Sequence, residues 1–247
     1  DKKIPKDLTA EEILIRSGNI GSVRIGQKIG VEKFRSFLTK INVINKIEFD
    51  IDEIGIPISF KWGKCKLATT SFGHGITTTP LQLAKGYAIV TNGGFDLNPT
   101  IIKEKSEKLI KYKKRIIKEN VSKKINPILR KIVTTKEGTA NLADVKGYEI
   151  GGKTGTAEKI VSGTYSNQKK INTFVSVFPI SKPKFVLVVI LDEPKINAEY
   201  IYNYRDGSNF KLKGSPRNTA GWNSVEVSGH IIEKIGPILA TKYSEIN

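Results

Sequence analysis

The chain has 247 residues, of which 38% are hydrophobic and 26% charged, and its formal net charge is +17. This is the composition of a globular protein, and no apolar run approaches the roughly 18 residues of a membrane-spanning helix. A single cysteine excludes an internal disulfide. The charge could attract nucleic acid or anionic lipid. However, the lysines are scattered, and the densest run, residues 103–118, alternates with Glu and Ile. We therefore interpret them as a solvated surface and expect no nucleic acid partner.

The first part of the chain is predicted to be helical. Thr9-Ala10-Glu11-Glu12 has the pattern of a capping box and predicts a helix that ends near Arg16. Residues 42–72 lack strong periodicity and are predicted to form a loop with short elements. The other predicted helices have apolar faces or capping residues at their ends, and they cover residues 20–30, 31–41, 79–93 and 126–135.

The last part of the chain has the pattern of an antiparallel sheet. Pro179 and Pro183 enclose a short turn between two extended segments, which favours an antiparallel pair. The predicted strands are three segments, residues 148–160, 173–180 and 184–191. A polar loop over residues 195–218 and a helix over residues 225–240 follow. Helices, then a sheet, then a closing helix indicate an α+β fold, an antiparallel β-sheet flanked by helices.

Two short motifs carry residue types suited to acyl transfer. Ser17-Gly18-Asn19 follows the first helix, and Lys153-Thr154-Gly155-Thr156 lies in the first extended segment. Their order is that of the serine acyl-transferases that bind penicillin, which use Ser-x-x-Lys, Ser-x-Asn and Lys-Thr-Gly. Such a reaction needs a proton relay near the nucleophilic serine, donors for the oxyanion, and groups that hold the substrate carboxylate.

Each residue of the two motifs can be given a role in that chemistry. Lys153 would supply positive charge, and the hydroxyls of Thr154 and Thr156 would contact the carboxylate. Gly155 would let a substrate backbone lie flat against the strand. In the first motif, Ser17 would pass a proton, and the amide of Asn19 would hold a substrate carbonyl. We therefore predict Ser17, Asn19 and Lys153 as catalytic residues that converge in the fold, with no metal and no cofactor.

The chain resembles class B penicillin-binding proteins well beyond these motifs. The resemblance covers residues 8–239, and its closing Thr219-Ala220-Gly221-Trp222-Asn223 is similar to the division-specific branch found in alphaproteobacteria. The further matching stretches occur in the family's order: Phe72-Gly73-His74-Gly75-Ile76, Thr79-Pro80-Leu81-Gln82-Leu83-Ala84, Asn92-Gly93-Gly94, Gly138-Thr139-Ala140 and Gly152 to Lys159.

The resemblance implies a D,D-transpeptidase that cross-links peptidoglycan stem peptides ending in D-Ala-D-Ala and is acylated by β-lactams. It also implies the periplasmic face of the inner membrane, divisome membrane proteins as partners, and the Thr156 N–H as an oxyanion donor. In the family, the nucleophile precedes the Ser-x-Asn motif at a helix start, yet residues 1–16 contain no serine. We therefore expect residues 1–247 to be the C-terminal portion of one transpeptidase domain. Two of the family's five strands and the nucleophile would then lie upstream, and the chain alone would form no penicilloyl adduct.

An NTPase is the alternative. Gly147-Tyr148-Glu149-Ile150-Gly151-Gly152-Lys153-Thr154 matches the phosphate-loop pattern G-x-x-x-x-G-K-[ST], and Asp192 follows an apolar strand, as a magnesium-binding acid would. A phosphate loop must open a helix. Here Gly155 follows at once, and a glycine at position 163 would end any helix after about two turns, so we favour the transpeptidase.

Overall fold

The computed structural model describes residue 5 and residues 7–103, 114–214 and 217–244. The chain divides into two units, Asp1–Ile128 and Leu129–Asn247. Most of the lysine-rich run at residues 103–118 lies outside the described residues.

The described part of the first unit is helical. Thr9 and Glu12 form the predicted capping box, and the first helix ends at Arg16. Gly30 ends the second helix with φ = +84°, a conformation that favours glycine. A buried apolar cluster includes Ile41 and Ile89. The helices are α1 Ala10–Arg16, α2 Asn19–Ile29, α3 Val31–Lys40, α4 Lys64–Thr70, α5 Pro80–Thr91 and α6 Glu119–Thr134, the last of which continues into the second unit.

Two helical predictions need correction or detail. The helix predicted over residues 126–135 begins earlier, at Glu119. The negative charge of Glu119 suits the positive end of the helix dipole. The prediction missed this start because the first residues of the helix are mostly polar and show no apolar face. Helix α4 is one of the short elements expected within residues 42–72. Its polar flanks and seven-residue length leave little periodicity to detect.

The second unit contains a three-stranded antiparallel sheet with the predicted α+β character. Strands β1 Gly151–Val161, β2 Thr164–Phe178 and β3 Phe185–Asp192 lie in the order β1-β2-β3. The strand that carries Lys153 is thus at an edge of this sheet. The closing helix, α7 Ser224–Ser244, packs against β2 and β3.

Two strand predictions were wrong in detail. Strand β2 begins at Thr164 and not at Thr173, because it forms a hairpin with β1 through Ser162 and Gly163, both with positive φ. The polar loop predicted over residues 195–218 contains a two-stranded sheet, β4 Ile201–Asn203 and β5 Lys211–Lys213. Strands of three residues are too short to show the alternation of apolar and polar side chains from which strands are predicted. Across the described parts of both units, no helix combines the length and apolarity needed to cross a membrane.

Candidate active site

Strand β1 presents the Lys-Thr-Gly-Thr motif at the edge of the sheet. Lys153 is opposite Val175 of β2, and Thr156 is opposite Asn172. Because side chains alternate along a strand, Thr154 and Thr156 share one face while the lysine projects from the other. The edge between these faces carries backbone N–H and C=O groups that point away from β2, the arrangement to which an extended peptide can add.

The Lys153 ammonium lies in a partly desolvated position. Its side chain is half-buried, and Nζ donates a hydrogen bond to the carbonyl oxygen of Thr154 at 3.0 Å. Burial disfavours the charged form and lowers the pKa of Lys153 to about 8. At neutral pH the group therefore keeps its positive charge. It can also release a proton more readily than an ordinary lysine, which suits a residue beside a proton relay.

Both threonine hydroxyls of the motif have partners within the second unit. Thr154 Oγ1 lies 2.7 Å from Thr139 Oγ1, and Thr156 Oγ1 accepts a hydrogen bond from the backbone N–H of Ala220 at 3.0 Å. Thr139 belongs to the Gly-Thr-Ala stretch that the sequence singled out without assigning a role. The structure places it beside the motif, although 15 residues separate it from Thr154. Only tertiary contact could reveal that pairing.

The two glycines at positions 152 and 155 have different surroundings. A Cβ on Gly152 would lie 2.5 Å from the carbonyl oxygen of Val175 and would also meet the Phe174 ring. A Cβ on Gly155 would meet nothing closer than Thr173 at 3.9 Å, and the residue is exposed. Packing within the described chain thus explains Gly152 but not Gly155. A bare backbone at Gly155 suits the close approach of a ligand.

A network of asparagines, which sequence reasoning missed, fastens the loop that follows β3. Asn172 is fully buried, and its Nδ2 donates to Asn218 Oδ1 at 2.8 Å. Asn218 Nδ2 donates in turn to the Pro194 carbonyl at 2.5 Å, and Asn223 Nδ2 donates to Asn218 Oδ1 at 3.2 Å. The loop next to Thr156 is therefore held by partly buried, directional hydrogen bonds. An Asn at a core position of a strand is the signal that could have indicated it.

Ser17 and Asn19 lie in the first unit, at the corner between α1 and α2. Ser17 is exposed and has the left-handed conformation φ = 57°, ψ = 45°, uncommon for a residue other than glycine. Gly18 is the N-cap residue of α2, whose first residue is Asn19, so the side chains of Ser17 and Asn19 project from one tight corner. Lys153 belongs to the second unit, and the convergence of the three side chains stays a prediction.

The structure contradicts the NTPase alternative. The Gly-Gly-Lys-Thr part of the phosphate-loop pattern lies inside β1 and opens no helix, so no helix N-terminus is available to bind phosphate. Asp192 ends β3, where its carboxylate accepts a hydrogen bond from Lys159 Nζ at 2.9 Å. Within the described ranges, no group of three His, Cys, Asp or Glu side chains could hold a metal ion.

The three serines that match Ser-x-x-Lys within this chain are not at helix starts. Ser166 lies in β2, Ser181 in the turn between β2 and β3, and Ser208 in the turn between β4 and β5. In a helix, residues three apart share a face, whereas in strands and turns they do not. None of the three therefore has the support that an activated nucleophile needs.

The chain is similar to proteins of one family. A model of the penicillin binding protein transpeptidase domain matches residues 1–209. The probable peptidoglycan D,D-transpeptidase FtsI of Caulobacter vibrioides is 29% identical over 243 residues, which cover 95% of this chain and 39% of that relative. Stage V sporulation protein D of Bacillus subtilis is 35% identical over 201 residues, which cover 76% of this chain and 31% of that relative. The chain thus spans about a third of the length of these curated relatives.

Solved structures show the same fold. The transpeptidase domain of Burkholderia pseudomallei penicillin-binding protein 3, in its apo form, has a TM-score of 0.77 at 24% identity, covering 94% of this chain and 65% of that one. Penicillin-binding protein 3 of Mycobacterium tuberculosis, complexed with ampicillin, has a TM-score of 0.74 at 22% identity, covering 92% of this chain and 51% of that one.

Proposed function

The chain belongs to the transpeptidase-domain family of penicillin-binding proteins, and from this premise we propose that it forms the C-terminal portion of a single class B transpeptidase domain. The proposed activity of the protein is peptidoglycan D,D-transpeptidation during septal cell-wall synthesis. In this reaction a serine hydroxyl attacks the carbonyl of the penultimate D-Ala, the terminal D-Ala leaves, and the amine of a second stem peptide takes the acyl group. The relatives named as D,D-transpeptidases support this assignment.

One observation carries the proposal: the edge strand β1 presents a desolvated ammonium, two hydroxyls and an exposed glycine within four consecutive residues. Lys153 supplies the positive charge of the cleft, and Thr154 and Thr156 bind the substrate carboxylate. Gly155 admits the substrate backbone against the strand. The Thr156 N–H is one oxyanion donor, in a position where preorganised backbone donors stabilise the tetrahedral intermediate.

In the proposed mechanism Ser17 is the proton relay and Asn19 holds a substrate carbonyl. The left-handed backbone at Ser17 supports a functional role, because strained conformations persist at sites where position matters more than local energy. We also propose that β-lactams acylate the protein, that it acts at the periplasmic face of the inner membrane, and that divisome membrane proteins are its partners.

Covalent labelling with a fluorescent penicillin tests the function. The natural full-length protein should retain stoichiometric label after denaturation, and the label should be released by hydroxylamine. Lys153→Ala should slow labelling by about 100-fold, the size of effect of removing one electrostatic group from such a site. Lys184→Ala, which removes an exposed lysine just before β3, is the matched control and should label normally.

The same experiment tests the residue assignment. The chain of residues 1–247 should form no adduct, because none of its serines is proposed as the nucleophile. An adduct mapped by mass spectrometry to any serine of this chain would show that the nucleophile has been misplaced. Failure of the natural protein to label would contradict the transpeptidase proposal itself.

A further inference from the structure

The hydroxyl of Thr139 contacts a hydroxyl of the Lys-Thr-Gly-Thr strand. Thr139 Oγ1 lies 2.7 Å from Thr154 Oγ1, and both side chains are half-buried. This is the ordinary length of a hydrogen bond between two hydroxyl oxygens. Because either oxygen can donate, the distance alone leaves two polarities open. The polarity decides whether the proton of Thr154 remains available to a ligand.

The turn that carries Thr139 is fixed on both sides. Gly138 precedes it, and a Cβ at that glycine would overlap the carbonyl oxygen of Ile132. Ala140 follows it, is fully buried, and donates its N–H to the same carbonyl at 3.1 Å. A β-branched side chain on such a backbone has few rotamers. The hydroxyl of Thr139 therefore comes from a rigid position, as a group that orients another group must.

The second hydroxyl of the motif has a partner that can only donate. Thr156 Oγ1 accepts a hydrogen bond from the backbone N–H of Ala220 at 3.0 Å. Because an amide N–H accepts nothing, this contact occupies a lone pair of Thr156 and does not consume the hydroxyl proton. The same loop abuts Thr139, since a Cβ at Gly221 would lie 2.7 Å from the Thr139 carbonyl oxygen. The groups behind the two hydroxyls thus lie in adjoining segments.

A carboxylate ligand requires both hydroxyls of the motif to donate. An ionised carboxylate has acceptors only, whereas a hydroxyl has one proton and two lone pairs. Thr154 can therefore bind a carboxylate only if its proton is not already given to Thr139. With a carboxylate bound, Thr139 must be the donor of the pair, and the hydrogen bonds run in one direction from Thr139 through Thr154 to the anion. Hydrogen bonds in such a chain polarise one another, and those to a charged acceptor are the strongest.

We propose that Thr139 is a positioning residue that makes the carboxylate site selective for an anion. Its hydroxyl donates to Thr154 Oγ1 and so directs the proton of Thr154 to the terminal carboxylate of the substrate. The inference rests on the proposed function, in which Thr154 and Thr156 bind that carboxylate, and adds a residue that acts through Thr154. A neutral carboxamide depends less on this polarity, because its own N–H can donate to Thr154. Loss of the Thr139 hydroxyl should therefore weaken carboxylate ligands selectively.

Acylation by two matched penicillins tests this role in the natural full-length protein. The compounds carry the same fluorophore and differ only in the ring carboxylate, which is free in one and a carboxamide in the other. The carboxamide is used at a higher concentration, since it lacks the charge. Thr139→Val should lower the second-order rate constant of acylation about three- to tenfold for the carboxylate compound, as expected for one lost hydrogen bond, and less than about twofold for the carboxamide. Thr139→Ser should restore both rate constants.

Two further variants separate the hydroxyl from the shape of the side chain. Thr134→Val makes the same chemical change at an exposed position of α6 and should match the wild type. Thr139→Ala removes the hydroxyl without placing a second methyl group against Thr154 Oγ1, and it should show the same selective loss as Thr139→Val. Urea unfolding establishes that each variant is folded. If Thr139→Val does not fold, the result for Thr139→Ala decides.

The outcomes distinguish this role from the underlying function. An equal loss for both compounds would show that Thr139 only supports the shape of β1, and it would overturn the inference. An unchanged rate for the carboxylate compound in Thr139→Val and Thr139→Ala, or a failure of Thr139→Ser to restore that rate, would overturn it as well. In each of these cases the transpeptidase proposal would stand. Absence of labelling of the wild-type protein by the carboxylate compound would contradict that proposal, and with it this inference.

Discussion

Replacing Lys153 with methionine should change how the stability of the protein depends on pH. Burial holds the pKa of this lysine at about 8, against an ordinary value of 10.5. The difference corresponds to about 3 kcal/mol of cost for keeping the group charged in the folded state at pH 7. Between pH 8 and 10.5 the unfolded chain binds more protons than the folded one at this site, so raising the pH relieves that cost and stabilises the fold.

The expected size of the effect can be worked out for two pH values. From pH 7 to pH 9.5 the relief amounts to about 2 kcal/mol, and since the side chain is only half-buried we expect about 1–2 kcal/mol. The Lys153→Met variant should lack this increment, because methionine does not titrate. At pH 7 the methionine side chain can pack in the place of the lysine without a desolvated charge, which favours the fold. The variant loses the hydrogen bond to the Thr154 carbonyl, which disfavours it.

Urea unfolding at the two pH values gives the measurement. The difference in unfolding free energy between wild type and Lys153→Met should grow in favour of wild type by about 1–2 kcal/mol on going from pH 7 to pH 9.5. Comparing the two proteins cancels the other groups that titrate in this range. Lys184→Met, at an exposed position, should show the pH dependence of the wild type. If the Lys153→Met and wild-type curves run parallel, the site is not desolvated and the reasoning fails.

Substitutions at four further positions test the packing of the second unit and of the site. Glu226→Gln should lower the unfolding free energy by about 3 kcal/mol, because it leaves the buried guanidinium of Arg205 without the carboxylate 2.9 Å away. Adding Arg205→Met should recover part of that loss in a double-mutant cycle in urea. Gly152→Ala should destabilise by about 1–3 kcal/mol through overpacking, since its Cβ would lie 2.5 Å from a backbone carbonyl. Gly155→Ala should fold normally but label poorly with penicillin in the natural protein. Thr139→Ala should cost about 1 kcal/mol by removing one hydroxyl of a 2.7 Å pair, whereas Thr139→Ser should retain it.

Local sequence signals were sufficient for elements whose stability is decided by neighbouring residues. The capping box at Thr9 and Glu12 and the proline-started helix at Pro80 were predicted correctly, because caps involve residues three or four apart. The start of β2 and the β4–β5 pair were missed. The polar residues at the start of β2 adopt the strand conformation because they pair with β1. For β4 and β5, three residues each are too few for a single strand to show a recognisable pattern in the sequence.

The Lys-Thr-Gly-Thr motif and its place in a strand could be recognised from the sequence alone, since the residue types and their order carry the chemistry. Only the tertiary structure brought Thr139 to Thr154, Ala220 to Thr156, and the asparagine network to the loop beside them. The lowered pKa of Lys153 was equally invisible, because desolvation depends on what surrounds a side chain and not on its neighbours in sequence. The residue types in the sequence determine which chemistry the side chains can perform, but packing between distant segments determines the electrostatic state of each group.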